Sequence, residues 1–437
     1  MWIGIDDTDS RSGMCTTYLM ALLAEELSKR KIGIIGYPKL VRLNPSVPWK
    51  TRGNAALAIQ IGAGAGAKYI IGKIGRKQIF GFEKSAGEPK QGKKEVFEIL
   101  MPLFEKNAQV QDENTNPGLV VVDEKLPESI YWKAVQDIVE IEDAKRLLSE
   151  NKAEFEGLKN GRGLVGASAA IAWPAQRKTY EIIAYRQKKN IGAQRKISEK
   201  SVIEMDKVHP ETFDNYDYEN KVIKIAPNTP CPILFGIRAV APEILPDALS
   251  KIKSEPMERW ILFETNQGSD DHLVRRKVAE VKSFLSSIVS GVVSEAPHEI
   301  TGGHVFFKIK DDTGELECAA YEPTKQFRNV IRQLCEGDQV TVYGATRDER
   351  LTLNLEKIKI ENVAEVLEKV ENPTCACGQR MHSMGKAGYR CRACGSKKPK
   401  SAAKFVKVER TLKPRWYEVP PVARRHLSRL IRFGIED

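Results

Sequence analysis

With 437 residues, 41% hydrophobic and 29% charged, the chain has a soluble, globular balance and is too long for one core, so about three domains are expected. No apolar run is long enough to span a bilayer, and the start Met1-Trp2-Ile3-Gly4-Ile5 lacks the basic and apolar parts of a secretion signal; no membrane partner and a cytoplasmic location are expected. The net charge of +11 is uneven: 371–437 holds 16 Lys and Arg against 5 Asp and Glu, which leaves the first 370 residues neutral.

The first segment, 1–150, mixes strand patterns at 2–5, 39–43, 55–61 and 119–122 with helical patterns at 16–30, 94–104 and 131–148, which argues an α/β domain. Leu19, Leu22, Leu23 and Leu27 mark one face of the first helix, while 62–92, rich in Gly and Lys, shows no usable period. Segment 151–280 alternates strands (180–185, 222–225, 260–263) with helices (163–172, 242–253), and a ferredoxin-like α+β arrangement is expected. In 283–364, strands at 287–293, 304–310 and 315–321 precede a helix at 325–334 and strands at 339–344 and 352–360. Three strands, a helix and two strands is the order of an OB-fold barrel. Asp311-Asp312-Thr313-Gly314 supplies its hairpin turn. The last segment, 371–437, carries a cysteine cluster and then the basic end of the chain.

Cys375-Ala376-Cys377 and Cys391-Arg392-Ala393-Cys394 are two close thiol pairs, each followed by glycine (Gly378, Gly395). Four thiolates so spaced can enclose Zn2+ tetrahedrally, and the pattern reads as a zinc ribbon, with His382 as a substitute ligand. The other cysteines (Cys15, Cys231, Cys318, Cys335) are single, which fits a reduced protein and not a disulfide framework. A basic end region points to phosphates, a solvated tail being the alternative.

Asp6, Asp7 and Asp9 directly follow the first strand, and a Ser/Gly-rich loop then leads to Thr16 and the first helix. Carboxylates at a strand's C-terminal end can hold Mg2+, and amides of the loop and helix start can receive phosphate oxygens, although a capped surface turn has the same composition. Lys50 and Arg52, in the Pro-rich loop 44–54, can neutralise a triphosphate or simply face solvent. Gly161-Arg162-Gly163-Leu164-Val165-Gly166 is glycine-rich without a full nucleotide signature. Loops 212–215 and 228–232 are compatible with ordinary turns.

Taken together, stretches 3–9, 13–18, 42–54, 115–118, 161–167, 212–215, 228–238, 302–307, 321–331 and 417–427 resemble the tRNA 2-agmatinylcytidine synthetase family, TiaS, along essentially the whole chain. The cysteine pair 375–377 is one residue shorter than the family's usual spacing. The resemblance implies a multidomain α+β protein: a kinase-like ATP/cytidine domain (1–150), a ferredoxin-like domain (151–280), an OB-fold (283–364), and a zinc ribbon with a basic tail (371–437). It implies ATP-dependent ligation of agmatine to C2 of the wobble cytidine of an isoleucine tRNA with a CAU anticodon, so that AUA is read. ATP would phosphorylate the C2 oxygen, and the amine of agmatine would displace that phosphate. The implied sites are Thr16 with Asp6, Asp7 and Asp9 for catalysis, and Lys50, Arg52 and Asn54 for ATP. Thr212, Asp214 and Asn228 would bind agmatine, Cys375, Cys377, Cys391 and Cys394 zinc, and Arg424 and Arg425 tRNA. Another ATP-dependent tRNA-modifying enzyme and a non-catalytic single-strand binder are the rival readings.

Overall fold

The computed structural model describes residues 1–50, 53–347 and 350–435. The first half is built in chain order from β1 (Trp2–Asp6), α1 (Thr16–Lys29), β2 (Gly33–Arg42), β3 (Ala55–Gly62), β4 (Gly64–Ile74), β5 (Lys77–Ser85), α2 (Lys93–Asn107), β6 (Gly118–Val122), α3 (Glu128–Gln136), α4 (Ile141–Glu150), β7 (Glu154–Gly157), α5 (Gly163–Ala172), β8 (Thr179–Arg186), α6 (Glu199–Val208), β9 (Thr212–Phe213), β10 (Tyr216–Asp217), β11 (Val222–Ile223), β12 (Ile233–Ala239), α7 (Leu245–Lys251) and β13 (Met257–Thr265). One eleven-stranded sheet runs β7-β6-β1-β3-β2-β5-β4-β13-β8-β12-β9, through both of the segments separated by sequence. The halves join where β13 runs antiparallel to β4 and parallel to β2. In β2, Ile34 and Ile35 pair in parallel with β5, whereas Lys39 and Leu40 pair in parallel with β13. The switch falls at Gly36, whose φ of 68° suits glycine alone without strain, and at Pro38, which has no N–H to offer a ladder.

Period-2 alternation along the strands feeds two cores. Ile3, Ile5, Leu119 and Val121 meet α1 and α2, while Val120 and Val122 meet α3, α4 and α5. Helix α5 is buried all round, as a helix apolar on every side must be. Gly4 lets it lie on β1, since a Cβ there would stand 2.5 Å from the Ala167 carbonyl oxygen. Helices α6 and α7 close a further core over β8 and β12.

The structure corrects two expectations. The single helix expected at 131–148 is two, α3 and α4, interrupted so that Asp137, Ile138 and Val139 line a cavity. The unassigned stretch 62–92 contains the hairpin β4–β5, whose mostly exposed faces erase the alternation expected of a half-buried strand.

A second unit comprises β14 (Val274–Arg275), β15 (Ser286–Ile300), β16 (His304–Lys310), β17 (Glu315–Ala320), α8 (Phe327–Ile331), β18 (Gln339–Ala345) and β19 (Leu353–Asn362). Strands β15-β16-β17-β19-β18 close on themselves through the β15–β18 ladder, with β17 and β19 parallel. This is the OB-fold barrel the strand order predicted, with a core that includes Phe307, Ile309, Val342 and Ile358.

After the cysteine segment the chain returns to this barrel: Trp416–Glu418 pairs with β19. It then straps across to the first sheet, where the Gly268 and Asp270 amides donate to the His426 and Leu427 carbonyls and Leu427 enters the α3–α5 core. Glu356 of β19 anchors this junction, 3.2 Å from His272 Nε2 and 3.0 Å from Arg425 Nη1. Burial would raise its carboxyl, but the charges of His272, Arg425 and Lys357 prevail and bring it down to about 2. A depressed carboxyl stabilises the fold above its unfolded value of 4.5 and ceases to do so as pH falls through about 2. Glu356→Gln should therefore cost ~3–5 kcal/mol at pH 7. Denaturant titrations should show the gap between variant and parent closing only between pH 4.5 and about 2.

Candidate active site and metal site

A cavity of about 710 Å³ opens where the two halves of the large sheet, the loop before β3 and the C-terminal strap meet. Asp6, Asp7, Asp9 and Thr16 line one side of it, and Lys50 and Asn54 stand on the loop between β2 and β3. Asp214, Asn228 and Arg424 lie on the remaining wall. Residues as far apart in the chain as Asp6 and His426 thus share one chamber. Arg52 falls outside the described residues.

The carboxylate wall is shaped by backbone. Asp7 sits in the left-handed region (φ 53°), and its Oδ2 accepts from the Asn116 amide at 2.8 Å. The Asp9 carbonyl accepts from Thr115 Oγ1 at 2.5 Å, and Thr8 Oγ1 donates to Thr16 Oγ1 at 3.2 Å. Thr16 opens α1, and no side chain caps that end, so first-turn amides face the chamber with the positive end of the helix dipole. Burial raises Asp6 well above the carboxylate range, with repulsion from Asp7 and Asp9 adding to it; burial likewise lifts Asp7 to about 7. Asp6 and Asp7, which resist ionising, form with the neighbouring Asp9 the donor set a hard divalent cation would relieve, so Mg2+ fits here.

The glycine-rich stretch 161–166 supports this wall through packing. A Cβ on Gly166 would lie 1.8 Å from Asp6 Oδ2, and one on Gly163 would lie 2.7 Å from the Asp6 carbonyl oxygen. Gly166→Ala is expected to leave a folded protein, because Asp6 can rotate away. Its turnover should fall at least tenfold as that carboxylate is displaced. Circular dichroism beside a turnover assay checks both halves.

The Asp214 side of the chamber balances charges. Asp214 (φ 54°) pairs with Arg424 and lies 3.6 Å from Arg238, which is itself 3.7 Å from Glu181. Arg424 also meets Glu418 at 3.0 Å, and its side chain is 6% exposed. Sequence suggested that Arg424 meets tRNA, but burial between two carboxylates makes it part of the chamber wall. Thr212 stands behind the wall: its hydroxyl donates to the His209 carbonyl at 2.6 Å and accepts from Asn215 Nδ2 at 2.7 Å. His426 completes the side, hydrogen-bonded to Gln267 Oε1 at 2.7 Å; burial and the charges of Arg42, Arg238 and Lys224 keep it neutral.

Sequence reasoning missed Arg195. Its guanidinium donates to the carbonyls of Ile233, Pro227, Thr229 and Cys231 at 2.8–3.1 Å, and so fixes the 227–231 loop at the chamber's edge. An arginine followed by a lysine in a polar stretch carries no signal of such a distant role. Trp49 was also passed over; it lies at the mouth with the Arg162 guanidinium 3.8 Å above its ring.

In the cysteine segment, the Sγ atoms of Cys375, Cys377, Cys391 and Cys394 lie within 4.8 Å of one another. Gly378 and Gly395, at φ 83° and 77°, turn their amides back to the Cys375 and Cys391 carbonyls. The shorter pair therefore still delivers two sulfurs, and the donor set suits Zn2+. His382 is exposed and outside the cluster, which corrects its reading as a substitute ligand. Metal analysis should give one zinc per chain, lost in Cys391→Ala.

The basic region divides in two. Between 372 and 407 there are nine Lys and Arg and no Asp or Glu. Downstream, Arg410 pairs with Asp338, Arg425 with Glu356, and Arg429 and Arg432 donate to main-chain carbonyls. The solvated cationic surface is the ribbon, while the strap's arginines are largely engaged within the protein.

Residues 2–160 match the family model described as the TiaS TCKD domain, 161–272 the TiaS FLD domain, 288–361 the OB-fold nucleic acid binding domain, and 372–412 the TiaS C-terminal zinc ribbon domain. The isoleucine-tRNA 2-agmatinylcytidine synthetase TiaS of Methanocaldococcus jannaschii is 44% identical over 442 residues, covering 99% of this chain and 98% of that protein. The protein of the same name from Archaeoglobus fulgidus is 42% identical, covering 100% and 98%. Among solved structures, a complex of TiaS with its isoleucine tRNA and ATP aligns with TM-score 0.84 at 41% identity, covering 100% of this chain and 98% of that one. A complex of TiaS with the same tRNA, AMPCPP and agmatine gives 0.83 at 38%, with the same coverage.

Proposed function

The chain belongs to the TiaS family of isoleucine-tRNA 2-agmatinylcytidine synthetases, and from that premise we propose that its chamber ligates agmatine to C2 of the wobble cytidine of an isoleucine tRNA with a CAU anticodon, consuming ATP, so that AUA is read. One observation carries the reading: Asp6, Asp7, Asp9 and Thr16 line the same cavity of about 710 Å³ as Asp214 and Asn228. A reaction of ATP, a nucleotide and an amine needs such a shared space, because its chemistry is mostly positioning and charge neutralisation.

In this reading the C2 oxygen of the cytosine attacks the terminal phosphorus of ATP, whose bond to the bridging oxygen breaks as the remainder of the nucleotide leaves. The amine of agmatine then bonds to C2, and the oxygen departs with the phosphoryl group while the amine gives up a proton. Asp6, Asp7 and Asp9 flank the phosphates; Mg2+ held there would supply the positive charge that phosphoryl transfer requires. The Thr16 hydroxyl, at the start of α1, acts as a phosphoryl acceptor. Lys50, Arg52 and Asn54 serve the polyphosphate from the loop before β3. Asp214 and Asn228 receive agmatine, and Thr212 acts as a positioning residue by holding its strand from behind. The zinc ribbon grips tRNA through phosphates.

We read 2–160 as kinase-like and 161–272 as ferredoxin-like; the strand–Asp–helix phosphate wall supports the first, and helices α6 and α7 over β8, β12 and β13 the second. Among the described residues no helix is long and apolar enough to cross a membrane, and the tRNA substrate belongs to a cytoplasmic enzyme.

Incubating the protein with tRNA transcript, ATP and labelled agmatine tests the reaction. Label is expected in the RNA only with ATP present and only with cytidine at the wobble position. Transfer without ATP, or none at all, would replace this reading with another tRNA modification or with plain binding.

A further inference from the structure

Gln267 joins two residues of the chamber lining, Glu181 and His426. Its main chain is pinned on both sides: the amide donates to Thr265 Oγ1 at 3.2 Å, and the carbonyl accepts from Thr179 Oγ1 at 2.8 Å. Its side-chain Nε2 donates to Glu181 Oε2 at 2.5 Å, and its Oε1 lies 2.7 Å from His426 Nδ1. Chemistry fixes the direction of this chain. A carboxylate only accepts, so Gln267 turns its NH2 group to Glu181 and its carbonyl oxygen to the imidazole. That oxygen also only accepts, so His426 carries its proton on Nδ1 and keeps a lone pair on Nε2. Glu181 is held in place by room and by charge. A Cβ on Gly236 would stand 2.5 Å from its Oε1, and Arg238 Nε lies 3.7 Å from the same oxygen.

The Nδ1 edge of the ring faces Gln267, so the Cδ2–Nε2 edge faces away from it. There a Cβ on Gly53, itself a chamber residue, would lie 3.8 Å from Cδ2. Among the described residues the ring makes no other hydrogen bond. Burial and the charges of Arg42, Arg238 and Lys224 disfavour a second proton on it. Arg238 continues the chain to Asp214, 3.6 Å away, on the side where the reading above seats agmatine. An alkylammonium keeps its proton up to a pH of about 10. The attacking nitrogen turns acidic only as its bond to carbon forms, so a base must already stand beside it.

We propose that His426 is the base of the second step: as the amine nitrogen bonds to C2, one of its protons passes to Nε2, and the C2–O bond breaks with its electron pair leaving on the phosphorylated oxygen. Gln267 and Glu181 are positioning residues that fix the ring and its tautomer. The imidazolium then gives its proton to water. The assignment rests on the ligation reading and adds the group that receives the amine's proton.

The test uses the full-length protein. Nitrogen NMR with labelled histidine identifies His426, one of six histidines, as the signal missing from His426→Gln. A proton on Nδ1 alone is expected at neutral pH; one on Nε2 alone, or on both nitrogens, would overturn the assignment. Gln267→Met should shift the proton toward Nε2 and lower kcat severalfold with the KM for agmatine unchanged. In transfer assays with tRNA transcript and ATP, His426→Gln should lower agmatine incorporation about 10²-fold at saturating agmatine, with tRNA and ATP affinities within twofold. Imidazole should raise transfer by His426→Ala at least tenfold, and pyrrole, a ring of similar size without a basic nitrogen, should not. Parental transfer by His426→Gln, rescue by pyrrole as well, or an equal loss of tRNA or ATP binding would overturn the base. If His426→Ala does not fold, His426→Gln, which can still donate to Gln267, decides. Transfer by both the parent and His426→Gln removes the base alone. No transfer by the parent, with the Nδ1 proton in place, removes the proposed reaction and the base's role in it, while the tautomer stands.

Discussion

Asp7→Asn is expected to lower agmatine incorporation by about 10²–10³-fold while leaving tRNA affinity within twofold. The amide is isosteric and can still accept from the Asn116 amide, which holds Asp7 at 2.8 Å, so the backbone kink should persist. What disappears is one of the three carboxylates that a seated cation would hold ionised. The parent's raised carboxyls supply a second readout. Because Asp7 is lifted to about 7, its proton stabilises the fold below the unfolded value of 3.8, and this benefit is lost as pH rises through about 7. A cation seated on the three aspartates restores it. Mg2+ should therefore raise the parent's melting temperature more at pH 8 than at pH 6, and Asp7→Asn should lose most of that difference. Thr16→Ala should melt like the parent and bind tRNA normally, yet transfer little agmatine. Normal transfer by both variants would leave the aspartates as a structural turn.

The second large effect concerns the ribbon. Replacing 372–407 with a short linker removes nine cations and no anions. The Val408 amide donates to the Val366 carbonyl at 2.8 Å and holds the downstream end beside the upstream strand for such a join. Affinity for tRNA should fall at least tenfold at moderate salt, and the slope of log affinity on log salt should shrink by about 0.7–0.9 for each phosphate no longer neutralised. Affinity for ATP should not move. A deletion running on to residue 437 would remove the strap as well, and with it Arg424 and His426 from the chamber. Arg424→Gln separates the two roles: it should raise the KM for agmatine, because Asp214 loses a partner, with the salt slope unchanged. An unchanged slope after excision of 372–407 would reassign the ribbon's charge to solvation.

Local patterns were legible in the sequence. The apolar strand ending in Asp6-Asp7, the helix beginning at Thr16, the alternation of β16 and the paired thiols are all set by neighbours within a few residues, so period and spacing display them. The strand–helix order of the barrel was legible for the same reason. Long-range burial was not. Arg424 and Arg425 look in sequence like their ribbon counterparts Arg390 and Arg392, and only the fold gives them Asp214 and Glu356. The glycines at 163 and 166 carry no mark that their missing Cβ atoms make room for Asp6, nor does Arg195 announce the four carbonyls it holds. By itself, the sequence determined the family, the OB-fold barrel, the thiol cluster and the residue types of the carboxylate wall. The tertiary structure alone decided that both halves share one sheet through the ladders of β13 with β4 and β2, and which cations are engaged inside the protein and which remain for a polyanion, because a charge's role depends on its counter-ion and that counter-ion lies far away in the chain.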